Sequence, residues 1–196
     1  MKPKTISAIL MFVTLFACSA PQEITAATET KPAAESEVGL GADDSAKDNE
    51  TKGTEHPEVK AFDKGRDAEA DVDAALLRAK ENGKRIILVM GANWCHDSRG
   101  LAGWLAQPRF AEMLKDKYEI VYIDIGKPQK GKGRNLEIAE RFGVKKVKNT
   151  PVVLMLSSQG LLLNNAKDAR SWRNAASREE DEIFDYFNRF SPEPQT

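Results

Sequence analysis

The sequence predicts an α/β domain: a central mixed β-sheet with helices on both of its faces. Three observations predict it. Residues 86–90 (Ile-Ile-Leu-Val-Met), 118–125 and 152–156 are short apolar runs without helical spacing, the mark of strands covered on both sides. The segments between them carry apolar residues at helical spacing. The last run is followed by a turn, another apolar stretch and a final helical pattern. A strand–helix–strand unit closed by a hairpin and a helix gives a mixed sheet.

In order along the chain, Val72, Ala75, Leu76 and Ala79 follow the i, i+3, i+4, i+7 pattern, and Gly83 supplies a stop. The first strand follows at 86–90, and Gly91-Ala92-Asn93 ends it. Leu101, Trp104 and Leu105 mark a helix starting near Cys95 and disturbed by Pro108; a short helix then runs to about Lys117. The second strand is followed by a basic, Gly-containing loop over 127–134. Leu136, Ala139 and Phe142 mark a helix closed by Gly143. Pro151 opens the third strand. Ser158-Gln159-Gly160 turns into a fourth strand over 161–164. Ser177 and Glu180 form a capping box for the last helix, whose apolar positions are Ile183, Phe184, Phe187 and Phe190.

The composition divides the chain in three. Residues 1–17 read as a secretory signal segment: Lys2 and Lys4, then a mostly apolar run too short to span a bilayer. Leu15-Phe16-Ala17-Cys18 resembles a bacterial lipobox, which implies cleavage before Cys18 and lipidation of its sulfur. Ser19 after it points to outer-membrane sorting. The alternative is an ordinary signal cut near Ala20 or Ala27, which leaves a soluble periplasmic protein. Residues 18–57 read as a disordered tether, with nine acidic residues against Lys31, Lys47 and Lys52 and no aromatic after Cys18; such a composition cannot bury enough apolar surface to order itself. Residues 58–196 are the folded domain. Either processing route leaves Cys95 as the sole free thiol of the mature chain, so an internal disulfide is excluded. A formal net charge of -1 with interleaved signs excludes a generally basic nucleic-acid binder.

The motif that carries chemistry is Trp94-Cys95-His96-Asp97-Ser98, at the end of an apolar strand and the start of a helix. About 55 residues later, Thr150-Pro151 precedes another apolar strand, with a Gly-centred turn at Gly160. Together these residues resemble the thioredoxin superfamily over roughly residues 68–190. They look most like its periplasmic members with a single active-site thiol, and are similar to the C-terminal domain of the disulfide reductase DsbD. The resemblance implies a thioredoxin-like fold, with Pro151 in cis and facing the sulfur of Cys95. It implies Cys95 as nucleophile and Trp94, His96, Thr150 and Pro151 as the substrate-binding rim.

A Cys at a helix start meets unpaired backbone N–H groups and the positive end of the dipole, which favour thiolate. Thiolate is the species that attacks disulfides. Protonated His96 would add to this and Asp97 would oppose it. Ser98 stands where the family carries a second, resolving Cys. A serine cannot resolve a mixed disulfide; it can donate a hydrogen bond toward the sulfur. Many thioredoxins also carry a buried carboxylate six residues before the first Cys, where this chain has Val89. Resolving thiol and proton acceptor are absent together, a monothiol pattern.

The function expected is therefore that of a membrane-tethered thiol–disulfide oxidoreductase of the bacterial cell envelope, on the periplasmic side. Cys95 attacks substrate disulfides or mixed disulfides, and a thiol in trans resolves them. Its partners are envelope proteins with disulfides or oxidised thiols, a small thiol or partner reductase for recycling, and the membrane through its lipid anchor. The alternative is a non-catalytic thioredoxin-like binding module holding an extended segment beside Pro151. No cofactor is expected, and no metal: one Cys and two His, with His56 in the tether, do not make a closed zinc site. Residues 127–148 hold eight basic residues against Glu137 and Glu140, read as a solvated charged face that would lie at the edge of the site.

Overall fold

The computed structural model describes residues 56–192. The signal segment, Cys18 and the tether up to residue 55 lie outside the described residues, as does 193–196. No helix among the described residues is long and apolar enough to cross a membrane.

Strand β1 (Arg85–Gly91) is the centre of a three-stranded sheet. It pairs in parallel with β2 (Tyr118–Asp124) and antiparallel with β5 (Val152–Leu156), which makes the sheet mixed. Because side chains alternate along a strand, β1 feeds two cores. Ile86, Leu88 and Met90 face one, under α1 (Ala68–Asn82) and α4 (Leu136–Arg141). Ile87 and Val89 face the other, under α2 (His96–Ala106), α3 (Pro108–Lys115) and α6 (Glu180–Arg189). Ile86 to Met90 are all 0% exposed. Each fully buried large aliphatic side chain contributes about 1.5–3 kcal/mol, so β1 is firmly held. Cys95 follows its end after three intervening residues.

Helix α1 starts at Asp67, whose side chain accepts from the Ala70 N–H, and stops at Gly83 with φ 73°. After β2 the predicted plain loop is a small hairpin, β3 (Gly126–Lys127) with β4 (Lys132–Gly133). Between β5 and α6 lie α5 (Ala166–Ala169) and a 3-10 helix, Arg170–Ser177, which buries Trp172 under the sheet. Sequence periodicity gave no sign of these two short elements.

Two expectations are corrected. The fourth strand over 161–164 reduces to a single bridge, Leu156 to Leu162. Further along, the side chain of Asn164 takes the place of backbone pairing. Its Oδ1 accepts from the Met155 N–H (3.0 Å) and its Nδ2 donates to the Val153 carbonyl (2.9 Å). The Ser177–Glu180 capping box does not form either. Ser177 ends the 3-10 helix, α6 begins after Glu179 with no side-chain cap, and Glu180 accepts from Arg109 at 2.9 Å.

Candidate active site

Cys95 is the N-cap of α2, in extended conformation, and its carbonyl accepts from the Arg99 N–H at 3.1 Å. The turn that delivers it is closed by Cys95 N–H donating to the Ala92 carbonyl at 3.0 Å. Asn93 fastens the turn from the side. Its Oδ1 accepts from the Phe62 N–H (3.0 Å) and its Nδ2 donates to the Phe62 carbonyl (2.7 Å). Phe62 is itself buried in the core beneath.

The thiol is 8% exposed as a residue, and Sγ points at the Thr150 carbonyl, 3.5 Å away. The Thr150–Pro151 peptide bond is cis. One turn along α2, Ser98 is fully buried. The hydrogen bond expected from Ser98 to the sulfur is not among those the described residues make. The Ser98 hydroxyl is instead paired with Thr150 Oγ1 at 3.0 Å. Thr150 thus receives both groups, the thiol at its carbonyl and the serine at its hydroxyl. Gly91 makes room for this: a Cβ there would stand 2.8 Å from Ser98 Oγ and 2.5 Å from Phe62 Cζ. Val89 is buried in apolar surroundings.

Trp94 is 43% exposed at the rim. Its indole N–H donates to the Gly126 carbonyl at 2.8 Å, and the Lys127 ammonium lies 5.8 Å from its ring centre. The hairpin thus carries one cation of the basic stretch to the site. Arg134 pairs with Asp124, and Arg141 with Asp73 and Glu69. Lys130, Lys132, Lys145, Lys146 and Lys148 are exposed. The resulting surface has partly neutralised arginines and solvated lysines.

His96 turns away from the thiol motif. Its Nδ1 is 2.6 Å from Glu58 Oε1, while Arg99 Nε donates to Glu58 Oε2 at 2.7 Å. The Arg99 guanidinium, with His96 beside it, holds the Glu58 carboxyl below the usual carboxylate range. His56, assigned to the tether by composition, lies against α2, with its ring 4.6 Å from that of His96. Asp97 is half-buried and accepts from the Ala176 N–H at 3.0 Å, which ties α2 to the 3-10 helix. Glu58, Asn93 and Arg99 were not singled out by sequence. Each acts across 31 or 41 positions of chain, and no local spacing reveals such pairs.

The arrangement presents one thiol, at a helix N-terminus, beside an aromatic rim and a backbone carbonyl, with no second thiol among the described residues. Among the described residues Cys95 is the one free cysteine. Such a site can form and exchange a mixed disulfide.

Residues 67–158 match the family model described as thioredoxin-like. Among solved structures, a disulphide isomerase from Xylella fastidiosa Temecula1 aligns with TM-score 0.59 and 30% identity, over 65% of this chain and 94% of that one. A protein of unknown function from Pseudomonas aeruginosa aligns with TM-score 0.33 and 16% identity, over 61% of this chain and 83% of that one. No curated protein matches the sequence.

Proposed function

The chain belongs to the thioredoxin-like family and has its fold, and on that premise we propose that it is a thiol–disulfide oxidoreductase of the monothiol kind. The observation that carries the proposal is Cys95 at the start of α2, its sulfur against the Thr150 carbonyl, with a buried Ser98 one turn on. The solved structure described as a disulphide isomerase supports the same chemistry. The Cys95 thiolate attacks one sulfur of a substrate disulfide. A bond forms between Cys95 and that sulfur, and the other substrate sulfur leaves as thiolate. A thiolate in trans, on the substrate or on a small thiol, then attacks the substrate sulfur of the mixed disulfide and frees Cys95. With a substrate thiol as resolver the electrons balance as isomerisation. With two external thiols the substrate is reduced and they are oxidised.

We place this protein on the periplasmic side of the bacterial envelope, tethered through lipidated Cys18, with envelope proteins carrying disulfides or oxidised thiols as partners. The low exposure of Cys95 favours a second reading, a binding module that holds an extended segment beside Pro151 without thiol exchange. One experiment separates the two. The endogenous protein is isolated from membrane and soluble fractions after blocking free thiols, without reduction. The first reading expects recovery in the membrane fraction with disulfide-linked partners that disappear in Cys95→Ser. Association that survives Cys95→Ser and never involves a disulfide supports the binding module, and recovery in the soluble fraction alone refutes the tether.

A further inference from the structure

The structure assigns a second site, independent of the thiol chemistry: we propose that His56, Glu58 and His96 bind a divalent first-row transition ion of the Zn2+ class, beside the first turn of α2. One ligand atom from each residue lies within 4.8 Å of the other two. The Glu58 Oε1 atom is 2.6 Å from His96 Nδ1 and 3.7 Å from His56 Nε2. A tetrahedral ion with bonds of about 2.0–2.1 Å to nitrogen and oxygen sets its donor atoms roughly 3.3 Å apart, and the two separations to Glu58 lie on either side of that value. The two imidazoles meet edge to face, at 82°. The His96 side chain is 60% exposed and free to adjust.

A second, independent observation points to a ligand. His56 Nε2 is inaccessible to solvent and has no hydrogen-bond partner among the described residues, although its ring is one of the two that face Glu58. Polar atoms buried in this way ordinarily have a partner; a bound ion would supply it. The outer shell is also in place. Arg99 donates to Glu58 Oε2 at 2.7 Å and more loosely to Oε1 at 3.5 Å, while Oε1 faces the imidazoles, the kind of support that orients ligating carboxylates. Two imidazole nitrogens among three donors suit a borderline transition ion better than Ca2+ or Mg2+, which take oxygen ligands. Two imidazoles and one carboxylate leave a fourth position open to water.

The backbone is built for this approach. The Val59 N–H donates to the Arg99 carbonyl at 3.1 Å and fixes residues 56–59 along α2. Gly100 gives the close contact: a Cβ there would lie 2.7 Å from His56 Cδ2 and 3.0 Å from Nε2, and at Gly103 it would collide with the Pro57 carbonyl. An ion held here would pin the start of the domain to the helix that begins with the active-site cysteine.

The test is calorimetric titration of the untagged full chain with Zn2+, in a Cys18→Ser, Cys95→Ser background so that no thiol competes. The expected result is saturable binding of one ion per chain. His56→Ala and His96→Ala should each weaken it at least tenfold. The melting temperature of the parent should rise with Zn2+, and that rise should vanish in both histidine variants while their melting stays cooperative. Absence of saturable binding overturns the proposal and leaves a hydrogen-bonded His96–Glu58 pair. So does equal affinity in parent and histidine variants.

Discussion

Replacing Ser98 by Cys tests the active-site reading most directly. The Ser98 oxygen lies 3.0 Å from Thr150 Oγ1 and faces the bare Cα of Gly91, where a Cβ would stand only 2.8 Å away. That missing Cβ leaves space for the larger sulfur atom. In the reduced state the variant loses the Ser98–Thr150 hydrogen bond, a cost of about 1 kcal/mol. In the oxidised state a loop of four residues is closed. The chain-entropy relation gives that closure about 1.9 kcal/mol at 25 °C. The oxidised variant should therefore be about 1 kcal/mol more stable than wild type, and the reduced variant about 1 kcal/mol less stable, by urea unfolding. Cα atoms three apart in a helical turn are about 5 Å from each other, inside the range a disulfide spans. The kinetic consequence is larger. With Cys95 loaded as a mixed disulfide with a chromophoric thiol and no thiol added, wild type should hold its cargo. Ser98→Cys should release it at least about 100-fold faster, because an intramolecular attacker carries a high effective concentration. Equal release rates, or two titratable thiols remaining after oxidation, would show that residues 95 and 98 do not face a common sulfur position and would refute the thioredoxin-type arrangement of the site.

Asn164 is 4% exposed and serves the Met155 N–H, the Val153 carbonyl and the Tyr186 hydroxyl. Asn164→Ala strands these buried groups and should cost about 2–4 kcal/mol by urea unfolding; a loss under about 1 kcal/mol would mean that water replaces the amide. Burial pushes the phenols of Tyr118 and Tyr122 up to about 12 and raises that of Tyr186, where the Asp168 carboxylate adds to it. These are all three tyrosines of the chain. The unfolded chain gives up its phenol protons near pH 10, so stability is whole below about pH 10 and falls as pH rises from there toward 12. Phenolate absorbance should stay flat through pH 10 and rise with unfolding; a smooth titration centred at 10 in the folded protein would contradict the burial.

The sheet and the thiol were legible in the sequence for different reasons. The strand at 86–90 announced itself because burial on both faces removes every polar residue from the run. Helix α1 was legible because one face meets the core and Gly83 stops it. Cys95, Ser98, Thr150 and Pro151 were found by resemblance to a family, since nothing in local spacing brings Thr150 to Cys95. What stayed hidden depends on contacts that leave no local pattern. The stretch at 161–164 looks like a strand because three consecutive leucines follow a Gly-centred turn. Its pairing is decided by the Asn164 amide, which reaches two backbone groups of β5. Ser177 and Glu180 have capping-box spacing, but Arg109 competes for Glu180, from 71 positions away. His56 and Glu58 sit next to an acidic, low-complexity stretch, and composition averaged over a window assigns His56 to that stretch. Its contact with α2 follows from two glycines more than forty positions later.

The two outer strands of the sheet bear on how copies of this protein meet in a crowded compartment. An uncovered strand edge is a template on which another chain can add a strand. On the β5 side, the Leu161 and Leu163 backbone and the Asn164 amide already occupy groups that an incoming strand would need. Leu161 and Leu163 are exposed there, yet no unbroken ladder accompanies them. On the β2 side, Glu119 is engaged by Arg78 and Asp124 by Arg134, so a strand approaching that edge would have to displace charged side chains first. The sheet is thus protected against edge-to-edge polymerisation by an amide on one flank and ion pairs on the other.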